Sequence, residues 1–119
     1  MNLEALYTHA YDAYTREDYA EAERLFAQLV THSLFETKYW KGFAAANQML
    51  QNYDQALRGW SMLALLDEKD PLPHIHASEC LYILGQTEEG QKALRVARSK
   101  PCDNPHLIEK IHVLRECYG

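Results

Sequence analysis

The sequence predicts an all-α protein: a right-handed α-solenoid of three helix hairpins closed by a C-terminal capping helix, with a concave groove along one side. Three observations lead there. A self-similar register of 34 residues runs through the chain, DYAEAERLF at Asp18–Phe26 returning as NYDQALRGW at Asn52–Trp60, and a further step carries Ala56 to Gly90 and Trp60 to Leu94. Within it a small residue is followed four positions later by a bulky one, at Ala22 and Phe26, Ala56 and Trp60, and Gly90 and Leu94. No stretch alternates apolar and polar residues as a half-buried strand would. A period of this length marks helical hairpins that bury their apolar faces on one another.

Each element follows from the register, and the whole of residues 1–119 reads as a single domain. The first repeat spans 3–36, the second 37–70 and the third 71–104, with the capping helix over 105–118. The opening helix carries two adjoining stripes. Leu3, Leu6, Ala10 and Ala13 form a small aliphatic one that suits packing. Tyr7, Tyr11 and Tyr14, spaced i, i+4 and i+7, form an aromatic one within about 60° of arc. The same register aligns Ala10 with Ala44 and Ser78, and Leu6 with Trp40 and His74. Asp18-x-x-Glu21 reads as a capping box at the start of the next helix, and Asn52-x-x-Gln55 as its counterpart. Tyr19 and Tyr53, which open these second helices, are assigned to structure. Asp70-Pro71 and Asn104-Pro105 each begin a helix with a capping residue and a proline in the first turn. In the last helix Leu107, Ile108, Ile111 and Leu114 are placed on one apolar face, the rest being polar, as a terminal helix requires. Paired helices with small-to-large spacing at 34 residues are the tetratricopeptide pattern.

Composition limits the function. With 119 residues and 47% hydrophobic content the chain supports a core without disulfides or metals. A net charge of −5 disfavours a nucleic-acid partner, whose phosphates need clustered Lys and Arg. No apolar run approaches a membrane span, and no basic-then-apolar leader opens the sequence. Three widely spaced cysteines, Cys80, Cys102 and Cys117, suit a reducing cytoplasm better than a disulfide framework. No phosphate-binding loop, nucleophile elbow or HExxH motif is present, so no enzyme is expected. His74 and His76 fall on different helix faces, and no CxxC pairing occurs, so neither metal nor cofactor is expected.

The first helix of each hairpin is expected to line the groove. The inner positions of the repeat assign it Tyr7, Tyr11, Tyr14 and Thr15, then Lys38, Lys41, Ala45, Gln48 and Met49, then Leu72, Ile75, Glu79, Tyr82 and Ile83. Tyrosine fits a groove that is wet when empty and dry when filled, since its ring offers apolar area and its hydroxyl keeps a hydrogen bond in both states. Packing alone is the competing account of the tyrosine stripe. A carboxylate clamp for an acidic chain terminus is not expected, because Tyr7, Tyr11, Gly42, Leu72 and His76 stand where its basic and amide residues would be. An apolar, aromatic groove with two lysines suits an extended peptide carrying apolar anchors.

The segments LYTHAYDAY, KYWKGFAAANQMLQNYDQAL and DPLPHIHASECLYILGQTEEG resemble the class II chaperones of bacterial type III secretion systems, over Leu3 to about Ala97. The proline-rich entry to the third repeat, with His76-Ala77, Glu79-Cys80-Leu81 and Gly85, carries the most specific part of the likeness. The resemblance implies a cytoplasmic protein that holds translocator subunits before export. Its groove would take an extended segment whose anchors have a proline–leucine–proline spacing, with Tyr7, Tyr11 and Tyr14 in the first-repeat pocket. A homodimer built through a helix ahead of the first repeat is also implied by the family; here that repeat opens at Leu3, so the dimer rests on the resemblance alone. The alternative is a tetratricopeptide adaptor, or a needle-subunit chaperone, that cradles an amphipathic helix of its partner.

Overall fold

The computed structural model describes residues 2–118, which form seven helices and no strand. They are α1 (Leu3–Thr15), α2 (Tyr19–His32), α3 (Thr37–Met49), α4 (Tyr53–Leu66), α5 (Leu72–Ile83), α6 (Thr87–Ser99) and α7 (Pro105–Tyr118). The starts of α2, α4 and α6 lie 34 residues apart, as do those of α1 and α3. Each helix packs on the next, and α5 also meets α7, giving an elongated body of 45 × 25 × 23 Å.

The register also governs the turns inside the hairpins. Glu17, Gln51 and Gly85, again 34 apart, have φ of 65°, 63° and 81°. In each turn the following residue donates its N–H back across the helix end, Asp18 to Ala13 O (2.9 Å), Asn52 to Asn47 O (2.9 Å) and Gln86 to Leu81 O (2.8 Å). These are Schellman closures, whose left-handed residue is usually glycine. Only the third repeat uses one. A non-glycine residue in this conformation costs about 1–2 kcal/mol, partly offset by the chain entropy a glycine would lose. Gln51→Gly is therefore expected to stabilise the protein by about 0.5–1 kcal/mol in urea titrations, with no change in helix content by circular dichroism.

The helix starts follow the expected capping only in part. Asp18 does cap α2, its carboxylate accepting from Glu21 N at 3.3 Å. Glu21 does not return the bond, because the Asp18 N–H is already committed to Ala13 O, and its carboxylate takes Arg24 instead. Asn52 makes no side-chain cap on α4; its amide turns towards Asn47 Oδ1 at 3.5 Å. Asp70 and Asn104 each accept an N–H two residues ahead, from Leu72 and His106, both at 2.9 Å.

Packing follows the small-to-large pairs. Ala22, Ala56 and Gly90 are buried, and so are Phe26, Trp60 and Leu94 one turn later. Phe26 joins Ala10, Ala13, Leu29 and Phe43 in the first cluster. Trp60 centres the second with Ala44, Leu63 and Cys80, and Leu94 the third with Ile75, Tyr82, Ile111 and Leu114. In α7 the buried face is Leu107, Ile111 and Leu114, at i, i+4 and i+7; Ile108, expected beside them, is exposed because one residue of advance turns it 100° off that line.

Candidate functional site

Six of the fourteen residues assigned to the groove converge on one pocket of about 390 Å³ between α1 and α3: Tyr7, Tyr11, Tyr14, Lys38, Lys41 and Ala45. The helical period brings the three tyrosines together from α1, and α3 supplies the opposite wall. Tyr7 is the hinge of the arrangement. Its ring centroid lies 6.1 Å from Tyr11, 6.1 Å from Phe26 and 5.6 Å from Tyr39, and the Lys38 ammonium stands 4.6 Å above it. An ammonium over an aromatic face is held by the ring quadrupole, so Lys38 closes one side with its stem against the tyrosines. Tyr14 is half-buried, edge-on to Tyr19 at 5.2 Å, and burial first, then Tyr19, raises its pKa and keeps the phenol neutral. Tyr11 is 60% exposed, an aromatic ring held in water at the mouth.

Two further residues complete the pocket. Phe26, buried in α2, forms its floor, and Gly42 in α3 leaves room for that ring. A Cβ at Gly42 would collide with the Phe26 edge. Phe26 was visible as the bulky member of the first small-to-large pair, and Gly42 as an inner position without a clamp residue; what neither pattern reveals is that the two meet beneath the tyrosines.

The other assigned residues have different places. Gln48 and Glu79 are half-buried and engaged with each other: Gln48 Nε2 donates to Glu79 Oε1 at 2.6 Å, while Gln48 Oε1 accepts from Trp60 Nε1 at 2.9 Å. Lys110 of α7 reaches the same carboxylate at 3.0 Å. Met49 is exposed, as is Ile83, but neither lines the pocket. Thr15 is exposed beside Tyr11. Leu72 packs against the central cluster. Ile75 and Tyr82 do not join the tyrosine pocket or a groove continuing from it. Ile75 is fully buried and Tyr82 is 5% exposed, stacked on Tyr118 at 4.4 Å. The inner-position rule fails there because α7 covers that side of α5.

The Glu79 bridge has a pH signature. His76, the Lys110 ammonium and the acceptor role of the carboxylate hold Glu79 down to about 2, against burial that raises it. Lys110 is the closer partner; His76 Nδ1 stands 3.9 Å away, beyond hydrogen-bonding reach, and is itself buried without a partner. A carboxylate with a folded pKa below its ordinary 4.5 contributes stability that is complete above 4.5 and is lost as pH falls towards 2. The melting temperature is expected to drop across that window, and to drop less in Glu79→Gln. Parallel curves for the two proteins would show that the bridge adds nothing.

A wider, shallower cleft of about 800 Å³ runs between α4, α5 and α6, with Leu57, Ala64, Leu65, Ala77, Leu81 and Val96 among its walls. It is larger than the tyrosine pocket but lacks clustered aromatic rings, Trp60 being buried at its base. Neighbouring Cys80 has its thiol pushed up to about 12 by burial first and by Glu79 second, which leaves no reactive thiolate. Among the described residues no group of three His, Cys, Asp or Glu side chains is placed to hold a metal ion, and no helix is long and apolar enough to cross a membrane.

Comparison with known proteins places this geometry in context. The tetratricopeptide-repeat family profile matches residues 3–31 and 37–70. Low calcium response locus protein H of Yersinia pseudotuberculosis is 31% identical over 107 residues, covering 90% of this chain and 64% of that protein. The chain thus spans just under two thirds of the length of that relative. The type III secretion chaperone SycD of Yersinia enterocolitica, solved with a peptide of the translocator YopD, superposes with a TM-score of 0.84 at 25% identity, over 98% of this chain and 95% of that one. PcrH, a Pseudomonas aeruginosa protein solved with the chaperone-binding region of PopD, gives a TM-score of 0.84 at 27% identity, over 98% of this chain and 87% of that one.

Proposed function

From a chain that belongs to the tetratricopeptide-repeat family and is similar throughout to translocator chaperones of type III secretion, we infer a chaperone of the same kind. The protein binds an extended segment of a translocator subunit and keeps that subunit unassembled and competent for export. It works in the bacterial cytoplasm, catalyses no reaction and needs no cofactor. The observation that carries this reading is the tyrosine pocket. Three phenol rings converge from α1 over a Phe26 floor, with a half-exposed mouth, in a fold whose solved relatives are seen with translocator peptides.

The pocket's chemistry fits such a client. An extended strand leaves its own backbone polar groups free, and phenol hydroxyls can meet them while the rings accept an apolar anchor. Pyrrolidine and leucine side chains are compact enough for a pocket of about 390 Å³, and a proline–leucine–proline spacing keeps the strand extended before it binds, which lowers the entropic cost. Lys38 and Lys41 at the rim add a preference for an acidic flank.

Co-expression tests this directly. A translocator subunit that aggregates alone is expected to co-purify as a soluble complex with the chain. Recovery of a needle subunit instead, with the translocator left insoluble, would replace this reading with that of an adaptor for amphipathic helices.

A further inference from the structure

The apolar cleft between α4 and α5 has a counterpart one repeat later, and its chemistry is reversed. Leu57, Trp60, Ser61, Ala64 and Leu81 line the first. A step of 34 residues converts them into Gln91, Leu94, Arg95, Arg98 and Arg115, and these five, with Tyr82, line a cleft of about 220 Å³ between α6 and α7. The fold has therefore repeated a cleft while the sequence has put three guanidinium groups into it. In a chain of net charge −5 with only 12 lysines and arginines, that convergence is a concentrated positive spot. Among the described residues, the ion pairs engage Arg16, Arg24, His76, Lys92 and Lys110, and none of the three arginines of the cleft.

A second observation is independent of charge. Tyr82 forms the inner wall of the cleft, more than nine-tenths buried, and its hydroxyl has no hydrogen-bond partner. Gly90 makes this position possible, since a Cβ there would stand 2.7 Å from the Tyr82 ring. Burial raises the Tyr82 pKa and keeps the phenol a neutral donor, with the nearby Arg95 charge working partly against that rise. A buried donor without an acceptor is costly, by about 1–3 kcal/mol, unless something supplies one. Arginines on the outer face of a last repeat account for solubility, but not for an orphaned hydroxyl behind them.

We propose that the cleft between α6 and α7 is a binding site for a phosphate-type oxyanion, held by Arg95, Arg98 and Arg115 with the Tyr82 hydroxyl donating from the inner wall. A single carboxylate occupies one guanidinium fork, whereas a polyoxyanion presents acceptors on several sides and uses all three. The volume suits a compact group with its residual waters, a water taking about 30 Å³. The site lies away from the tyrosine pocket and is independent of what that pocket binds. Because Arg115 belongs to α7 and the other two to α6, a bound anion cancels their repulsion and fastens the capping helix to the last hairpin.

The test uses the full chain, near neutral pH and at ionic strength held constant with sodium chloride, titrated with inorganic phosphate and with pyrophosphate. Saturable shifts of the Arg95, Arg98 and Arg115 side-chain N–H resonances are expected, with a rise in melting temperature and tighter binding of pyrophosphate. Arg98→Gln and Arg115→Gln should each weaken pyrophosphate binding about tenfold. Tyr82→Phe, which keeps the ring packing, should weaken it about threefold, and Arg58→Gln on α4 not at all. An unsaturable response, or an equal loss in Arg58→Gln, would overturn the proposal, leaving only general charge attraction. So would a glutamate-rich peptide that moves the same resonances when pyrophosphate does not.

Discussion

Trp60→Ala is expected to lower the unfolding free energy by about 3–5 kcal/mol, the largest loss from any single truncation in the central repeat. The side chain is 2% exposed, stacks on His76 at 4.5 Å and packs in the cluster that joins α3, α4 and α5. Its removal leaves a cavity and strands a polar group. Gln48 Oε1 loses the indole N–H at 2.9 Å, and with it the constraint that points Gln48 Nε2 at Glu79. Trp60→Phe keeps most of the ring volume but not the donor, so the difference between the two variants in urea titrations separates packing from the hydrogen-bonded bridge. A loss under 1 kcal/mol for Trp60→Ala would mean that the three clusters do not depend on the middle repeat.

Tyr11→Ala is expected to weaken client binding by roughly thirtyfold, about 2 kcal/mol, while changing stability little. Tyr11 is the exposed member of the aromatic trio and already stands in water, so the folded state loses little packing when it goes. Bound to a client it would bury its ring beside Tyr7, whose centroid is 6.1 Å away. Tyr11→Phe keeps the apolar area and should be milder. Tyr7→Ala makes the contrasting case, because Tyr7 also packs on Phe26 and Tyr39, and its truncation should reduce stability and binding together.

How much of this could be read from the residues alone depends on which forces act locally. The seven helices were legible because a 34-residue register of small and bulky side chains records how each hairpin packs on the next. The tyrosine wall was legible because i, i+4 and i+7 spacing fixes which side chains share a face of one helix. Phe26 went unassigned, and Gly42 entered only as an inner position that excludes a carboxylate clamp, because their meeting under that wall depends on how α2 and α3 approach, a tertiary fact with no spacing of its own. Ile75 and Tyr82 were misplaced because the inner-position rule treats every repeat alike, whereas the last one has a capping helix lying over it. The Asn52 cap failed although its turn matches the one at Asp18, because the Asn52 amide is turned towards Asn47 Oδ1 and away from the helix it opens, a side-chain choice that the spacing does not record.

Locating a bound peptide tests the central claim most directly. A translocator peptide with a proline–leucine–proline core, labelled at the leucine methyls, would be titrated into the chain and its intermolecular nuclear Overhauser contacts recorded. The pocket geometry predicts contacts from those methyls to the rings of Tyr7, Tyr11 and Tyr14 and to Phe26 beneath them. Contacts instead to Leu57, Leu65 and Val96, in the cleft between α4, α5 and α6, would contradict it and leave the tyrosine stripe as packing.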